Sequence, residues 1–120
     1  MAFSENMSTR SYVTSAAVSQ FRFIVMTNGL AAHVGTAGAR ADAVSITDAS
    51  ASGKSVAGAF IGRVTVTAGG TISKGGVVSS NASGQAIAAT TGHIIMGTAL
   101  EDAVSGQVIS IDLRLDGTAA

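Results

Sequence analysis

Glycine interrupts strand-forming residues throughout the second half of the chain, and this rhythm limits the fold more than any other feature. The stretch from Gly69 to Leu113, GGTISKGGVVSSNASGQAIAATTGHIIMGTALEDAVSGQVISIDL, sets Val, Ile and Thr between glycines without a Pro, Cys or Trp. Glycine in a helix interior costs about 1 kcal/mol relative to alanine. In a turn or bulge its freedom is an asset. The spacing therefore predicts short strands joined by turns. Val77–Val78 and Ala86–Ala88 form a hairpin about a polar turn at Asn81 to Gly84. A strand at Ile94 to Leu100 leads through a turn at Glu101 to Gly106, where EDAV could form a single helical turn, into a final strand at Val108 to Leu115. In that last strand Ile109, Ile111, Leu113 and Leu115 alternate with Val108, Ser110, Asp112 and Arg114. The aliphatic set is expected to face the core.

The first half carries the same grammar more faintly. FRFIVMT (Phe21 to Thr27) is the first clear strand, and Asn28-Gly29 supplies a turn. Gly35 and Gly38 argue against a long helix in the segment that follows, and VSIT (Val44 to Thr47) alternates like a half-buried strand. DASASGKSVAGAF reads as a loop returning to the sheet. Beyond it Ile61, Arg63 and Thr65 face one way and Gly62, Val64 and Val66 the other. Phe21, Phe23 and Phe60 are expected in the core. Residues 1–20 are rich in Ser and Thr and weakly patterned, which reads as an arm. The expected organisation is an N-terminal arm over 1–20, a β-rich domain over 21–116 and a tail over 117–120. The expected fold class is mainly β, a small β-barrel or β-sandwich domain with an extended N-terminal arm.

Composition narrows what such a domain can do. The chain has 120 residues, a length for one domain, with 15 Gly and 22 Ala; 47% of residues are hydrophobic but only 4% aromatic. A core of small side chains is thin, and without Cys no disulfide can reinforce it. Association with other chains is the remaining source of stability. The formal net charge is zero, so neither nucleic acid nor an anionic membrane is expected as a partner. The apolar runs FRFIVMT and HIIMG are too short for a bilayer-spanning helix, and the N-terminus lacks a basic region followed by an apolar run. The absence of Cys fits synthesis inside a cell.

Reactive constellations are missing. Gly53-Lys54-Ser55 ends like a phosphate-binding loop, but Asp48 stands where the first glycine of that signature belongs. A surface turn is expected instead. His33 and His93 are the only histidines and would need Asp48, Asp102 or Asp112 to complete a metal site; surface or interface imidazoles are the expectation. No nucleophile elbow accompanies the 15 serines, and Glu101 and Asp102 read as turn chemistry. No enzyme activity, catalytic residue, metal or cofactor is expected. Two isolated aromatics in the arm, Phe3 and Tyr12, are candidates to plug a partner's pocket, with Arg10 as an added contact.

VTVTAGGTISKGGVVSSNASGQAIAATTGHIIMGTALEDAVSGQVISIDL resembles the small head decoration, or capsid cement, proteins of tailed bacteriophages. Three elements in order carry the likeness: a VTAG-x-x-I-x-x-G-x-x-V step at Val66 to Val78, a turn at Ser79 to Ala86, and an IxGxALEDAxxGxxxxI closure at Ile95 to Ile109. The resemblance spans Val44 to Leu115. It implies a protein made in the host cytoplasm that binds the outer surface of an icosahedral head. Its implied partners are the major capsid protein and further copies of itself, as a homotrimer. An arm reaching the shell is also implied, with Phe3, Arg10 and Tyr12 as its contacts. The chain departs from short members of that family in its longer stretch before the motif and in lacking a proline near the arm. Another virion β module, of tail or fibre, is the alternative.

Overall fold

A computed structural model describes residues 5–27 and 30–113, and describes the side chains of all of these except 5–10, 60 and 61. The structure is mainly β, as the glycine rhythm requires, with no α-helix among the described residues. Its strands are β1 (Glu5–Thr14), β2 (Phe23–Thr27), β3 (Leu30–His33), β4 (Ala43–Ser45), β5 (Ser55–Thr67), β6 (Val77–Ser80), β7 (Ala86–Ala88), β8 (Gly97–Ala99) and β9 (Val108–Leu113).

The strands lie in the order β1-β3-β2-β4-β5-β9-β8-β6-β7, and an additional pairing joins β1 to β5. That pairing closes β1, β3, β2, β4 and β5 into a small five-stranded barrel. All its joints are antiparallel except β1–β3, where Val13 and Thr14 lie opposite Leu30 and Ala31. The remaining strands extend from β5 through β9 and curl back, because Ala68 just beyond β5 bridges Ala86 of β7. β5 belongs to both halves. On one edge it carries β1; on the other it carries β4 opposite Gly58 and Ala59, then β9 opposite Gly62 to Thr67. Gly62 has φ of 102°, a left-handed conformation that suits glycine, at the point where β5 passes from one partner to the next.

Two clusters of buried side chains follow from the strand pleat. Inside the barrel, Ile24, Ala31, Ala43 and Val56 meet Val18 and Ala49, with Tyr12 and Met26 packed against them. The larger cluster sits between the outer side of the barrel wall, at Phe23, Val44 and Ala59, and the second half, at Val64, Val66, Val78, Ile109, Ile111 and Leu113. The expected alternation of β9 holds where it is described: Ile109, Ile111 and Leu113 are all buried. Leu115 lies outside the described residues, as does the Asn28-Gly29 turn.

Several expectations need correction. Residues 5–20 are part of the fold: β1 pairs with β5 from Glu5 opposite Arg63 to Val13 opposite Ser55, and Val18 is buried. The segment read as an arm supplies the strand that closes the barrel. Its low apolar content misled because a strand needs only its backbone groups to pair. Residues 55–60, read as loop, are the first half of β5. The strand expected from Ile94 shortens to β8, and EDAV makes no helical turn, because Ala103 instead bridges Ile72. Phe23 is fully buried, but Phe21 is half-buried with φ of 61°, so the strand begins only after it. The side chain of Phe60 is not among those described.

Candidate contact surfaces

The glycine-and-acid motif folds into one hydrogen-bonded unit. Ile72 and Ala103 exchange backbone bonds of 3.0 and 2.9 Å, tying the loop after β5 to the loop before β9. The Lys74 N–H donates to Asp102 Oδ1 at 2.7 Å, and the Ser110 N–H donates to Glu101 Oε2 at 3.2 Å. Gly75 and Ala99 add bonds to Ala99 and Gly76 carbonyls, and Gly106 donates to Ala68. Gly97 has no room for a side chain, because a Cβ there would run into the Asp112 carbonyl oxygen and backbone carbon. Gly97, Glu101, Asp102 and Ala103 thus each have an internal structural task. Between the two loops lies a shallow groove of about 330 Å³, lined by Thr71, Ile72, Ser73, Asp102, Ala103, Val104 and Gln107. Val104 stands 55% exposed at its border.

Both histidines are tied into the chain. His93 Nδ1 lies 2.8 Å from the buried Ser79 hydroxyl and its Nε2 lies 3.1 Å from the Thr90 hydroxyl. The ring closes over Gly38, where any side chain would collide with it. His33 Nε2 accepts the Ser19 N–H at 2.9 Å, which fixes the neutral tautomer with its proton on Nδ1. Burial pushes the His33 pKa below its ordinary value, and the Arg22 guanidinium adds to the shift. Among the described residues no three His, Asp or Glu side chains gather to hold a metal. The Gly53-Lys54-Ser55 segment is the turn into β5, with Gly53 at φ of 82° and its N–H donated to Thr14.

The proposed arm contacts fall in different places. Phe3 lies outside the described residues. Arg10 stands on β1 opposite Gly58. Tyr12 packs against the barrel cluster of its own chain, across from Val56; the barrel uses the ring that was expected to be free for a partner. The structure therefore does not bring the three together as one described site.

What sequence reasoning missed is an edge. The other strand edges are largely covered: the segment after β1 shields β3 through Ser15 and Ser19, Asp42 Oδ2 accepts the Met26 N–H of β2 at 2.8 Å, Thr47 accepts from Ala57 of β5, and Ala68 bridges β7. β1 is different. β3 covers only Val13 and Thr14, and from Glu5 to Tyr12 the side of β1 away from β5 has no neighbour among the described residues. The strand-forming Thr9, Tyr12, Val13 and Thr14 were the available signal.

Comparison with known proteins adds two findings. A family model described as phage cement protein matches residues 4–115. No curated protein matches the chain. Among solved structures, the head fiber gp8.5 N base of bacteriophage phi29 superposes with a TM-score of 0.77 at 18% identity, covering 94% of this chain and 98% of that one.

Proposed function

This chain belongs to the phage cement protein family, and from that premise we propose that it binds the outer surface of the assembled icosahedral head and strengthens the contacts between major capsid subunits. The observation that carries the reading is the extent of the family match, which spans both halves of the fold from 4 to 115. The chemistry supports it. Asp42, Glu101, Asp102 and both histidines are bonded to groups of the chain itself. What is left for function is surface: short side chains, zero net charge and exposed β structure. Short side chains lose little entropy on docking, and repetition over a shell multiplies weak contacts into firm attachment. Phe3 and Arg10 are the proposed shell contacts, and a homotrimer is the assembly proposed from the family resemblance.

The test is binding to shells that lack the protein. Purified chain should co-sediment with them to a fixed saturating copy number and raise the temperature at which they come apart. Shells that neither take it up nor gain stability would refute the reading. A second reading, the base of a head fibre, is favoured by the fold shared with the phi29 head fiber base. Quantitative mass spectrometry of particles separates the two. A cement protein should approach the copy number of the major shell protein, while a fibre base should be far scarcer.

A further inference from the structure

The segment from Ser15 to Arg22 joins β1 to β2 as a strap, and its only buried residue is Val18, which reaches into the barrel cluster. The ends of the strap are fixed to strands: the Ser15 N–H donates to Ala31 of β3 at 3.0 Å, and the Phe21 N–H donates to Ser45 of β4 at 2.7 Å. Between them Ser19 is gripped from two walls. The Ser45 hydroxyl donates to the Ser19 carbonyl at 2.7 Å, and the Ser19 N–H donates to His33 Nε2 at 2.9 Å. Val18 exchanges its backbone bonds with Ala49, in the loop between β4 and β5. The His33 ring is half-buried in a basic setting. β2, β3 and β4 carry no other charged residue; β1 has Glu5 and Arg10, the loop after β3 has Arg40 and Asp42, the loop after β4 has Asp48 and Lys54, and the strap has Arg22. Of these, only the Arg22 guanidinium acts on the ring. Asp42 is committed to the Met26 N–H. Arg22 gives one N–H to the Ser83 carbonyl at 3.0 Å, and its buried Nε has no acceptor among the described residues.

We propose that His33 is an acid-operated latch: protonation of its ring releases Ser19 and lets the strap, with Val18, lift from the barrel. Three features of the arrangement carry this. First, the neutral ring holds Ser19 by accepting at Nε2, and an imidazolium bears a proton on both nitrogens and accepts nothing. After protonation the Ser19 N–H faces another N–H, and the bond that joined strap and ring becomes a repulsion. Second, the new charge stands beside Arg22, and two like charges partly withdrawn from water repel each other. A ring turned out to solvent relieves both costs, and it can turn out only as the strap parts from it. Third, the strap gives the core one valine. Its opening exposes little apolar surface and leaves the larger cluster around Ile109, Ile111 and Leu113 packed, as local opening requires. The latch is a property of the free chain and rests on no partner.

The experiment uses the full chain in solution with no shell present, so its failure leaves the cement reading untouched. The ring resonances of His33 report its protonation, and exchange of the Ser19 amide, corrected for the intrinsic effect of pH, reports the opening. Opening should grow as pH falls through the titration of the ring, by the ratio of the ring's proton affinities in the open and closed states. The Ile111 amide should stay protected over the same range. The chain has no Cys, so Val18→Cys supplies a single thiol. A pyridyl disulfide should label it faster in acid, measured against Ser50→Cys at an exposed position of the neighbouring loop. His33→Gln, which keeps an uncharged oxygen acceptor, should hold the strap closed at every pH. Ser19 opening that fails to follow the ring titration would overturn the proposal. Acid opening that persists in His33→Gln would do the same, by assigning the effect to another group. Ile111 exchanging in step with Ser19 would show the whole chain unfolding and also refute the latch. Should either variant fail to fold, the wild-type titration and amide exchange decide the matter by themselves.

Discussion

The ring of Tyr12 occupies the space that a side chain on Gly58 would need. A Cβ built at Gly58 lies 2.6 Å from Tyr12 Cε2, 3.1 Å from Cδ2 and 3.2 Å from the Ala43 Cβ. The closing strand and the long central strand thus interlock, ring over glycine, inside a barrel too small for two side chains there. Gly58→Ala should destabilise the protein by about 1–3 kcal/mol through overpacking. Combining it with Tyr12→Leu should cost less than the sum of the two, because the ring that collides is then absent. Denaturant unfolding of the three variants checks this; strict additivity would mean the two residues do not interact.

Removal of residues 1–20 should abolish the compact fold. It deletes β1, and with it the pairing that closes the barrel along β5, together with the buried Val18. A chain beginning at Phe21 should aggregate or show no cooperative unfolding transition, in contrast to a chain from which a dispensable arm has been cut. A folded, monodisperse truncation with an unchanged thermal midpoint would contradict the closed barrel.

Ile111 is fully buried opposite Val64 and Ala99. Ile111→Ala should cost about 2–5 kcal/mol from lost transfer energy and the cavity left behind. Val108, on the other face of the same strand and 39% exposed, should tolerate Ala with a change within about 0.5 kcal/mol. Equal costs at the two positions would show that the β9 faces are misassigned.

Asp102 holds the loop containing Lys74 through a single charge-assisted bond to a backbone N–H. Asp102→Ala should cost about 0.5–1.5 kcal/mol and speed amide exchange at Lys74. Asp102→Asn, which keeps an oxygen acceptor, should cost less. Unchanged exchange at Lys74 in the alanine variant would remove this role.

His33 makes stability sensitive to mild acid. Its pKa in the fold is lowered, chiefly by burial and further by Arg22, from the ordinary 6.5. The unfolded chain therefore takes up the proton first as pH falls. Stability carried by the neutral ring is intact above 6.5, declines below that value, and stops declining once pH has passed the folded-state pKa. Protonation also places an N–H where His33 now accepts from Ser19, so the segment between β1 and β2 should loosen. The stability difference between the wild type and His33→Gln should change with pH in that window and be flat above it. A pH-independent difference would refute the assignment.

Much of this protein was determined by its sequence alone. Gly spacing and Val–Ile alternation sufficed for the β class, for the β6–β7 hairpin and for the buried face of β9, because these depend on local backbone freedom and on a pleat of period two. Tertiary structure alone decided the role of residues 5–20. Strand pairing is made by backbone groups that every residue carries, so nothing in ENMSTRSYVT announces that it will close a ring with residues some fifty positions away. It likewise decided that Tyr12 packs against the barrel cluster of its own chain, that Glu101 and Asp102 accept backbone N–H groups, and that among the described residues the side of β1 away from β5 meets β3 only at Val13 and Thr14. Which edges a fold leaves uncovered depends on how all its strands close upon one another, and that is a property of the whole chain in three dimensions.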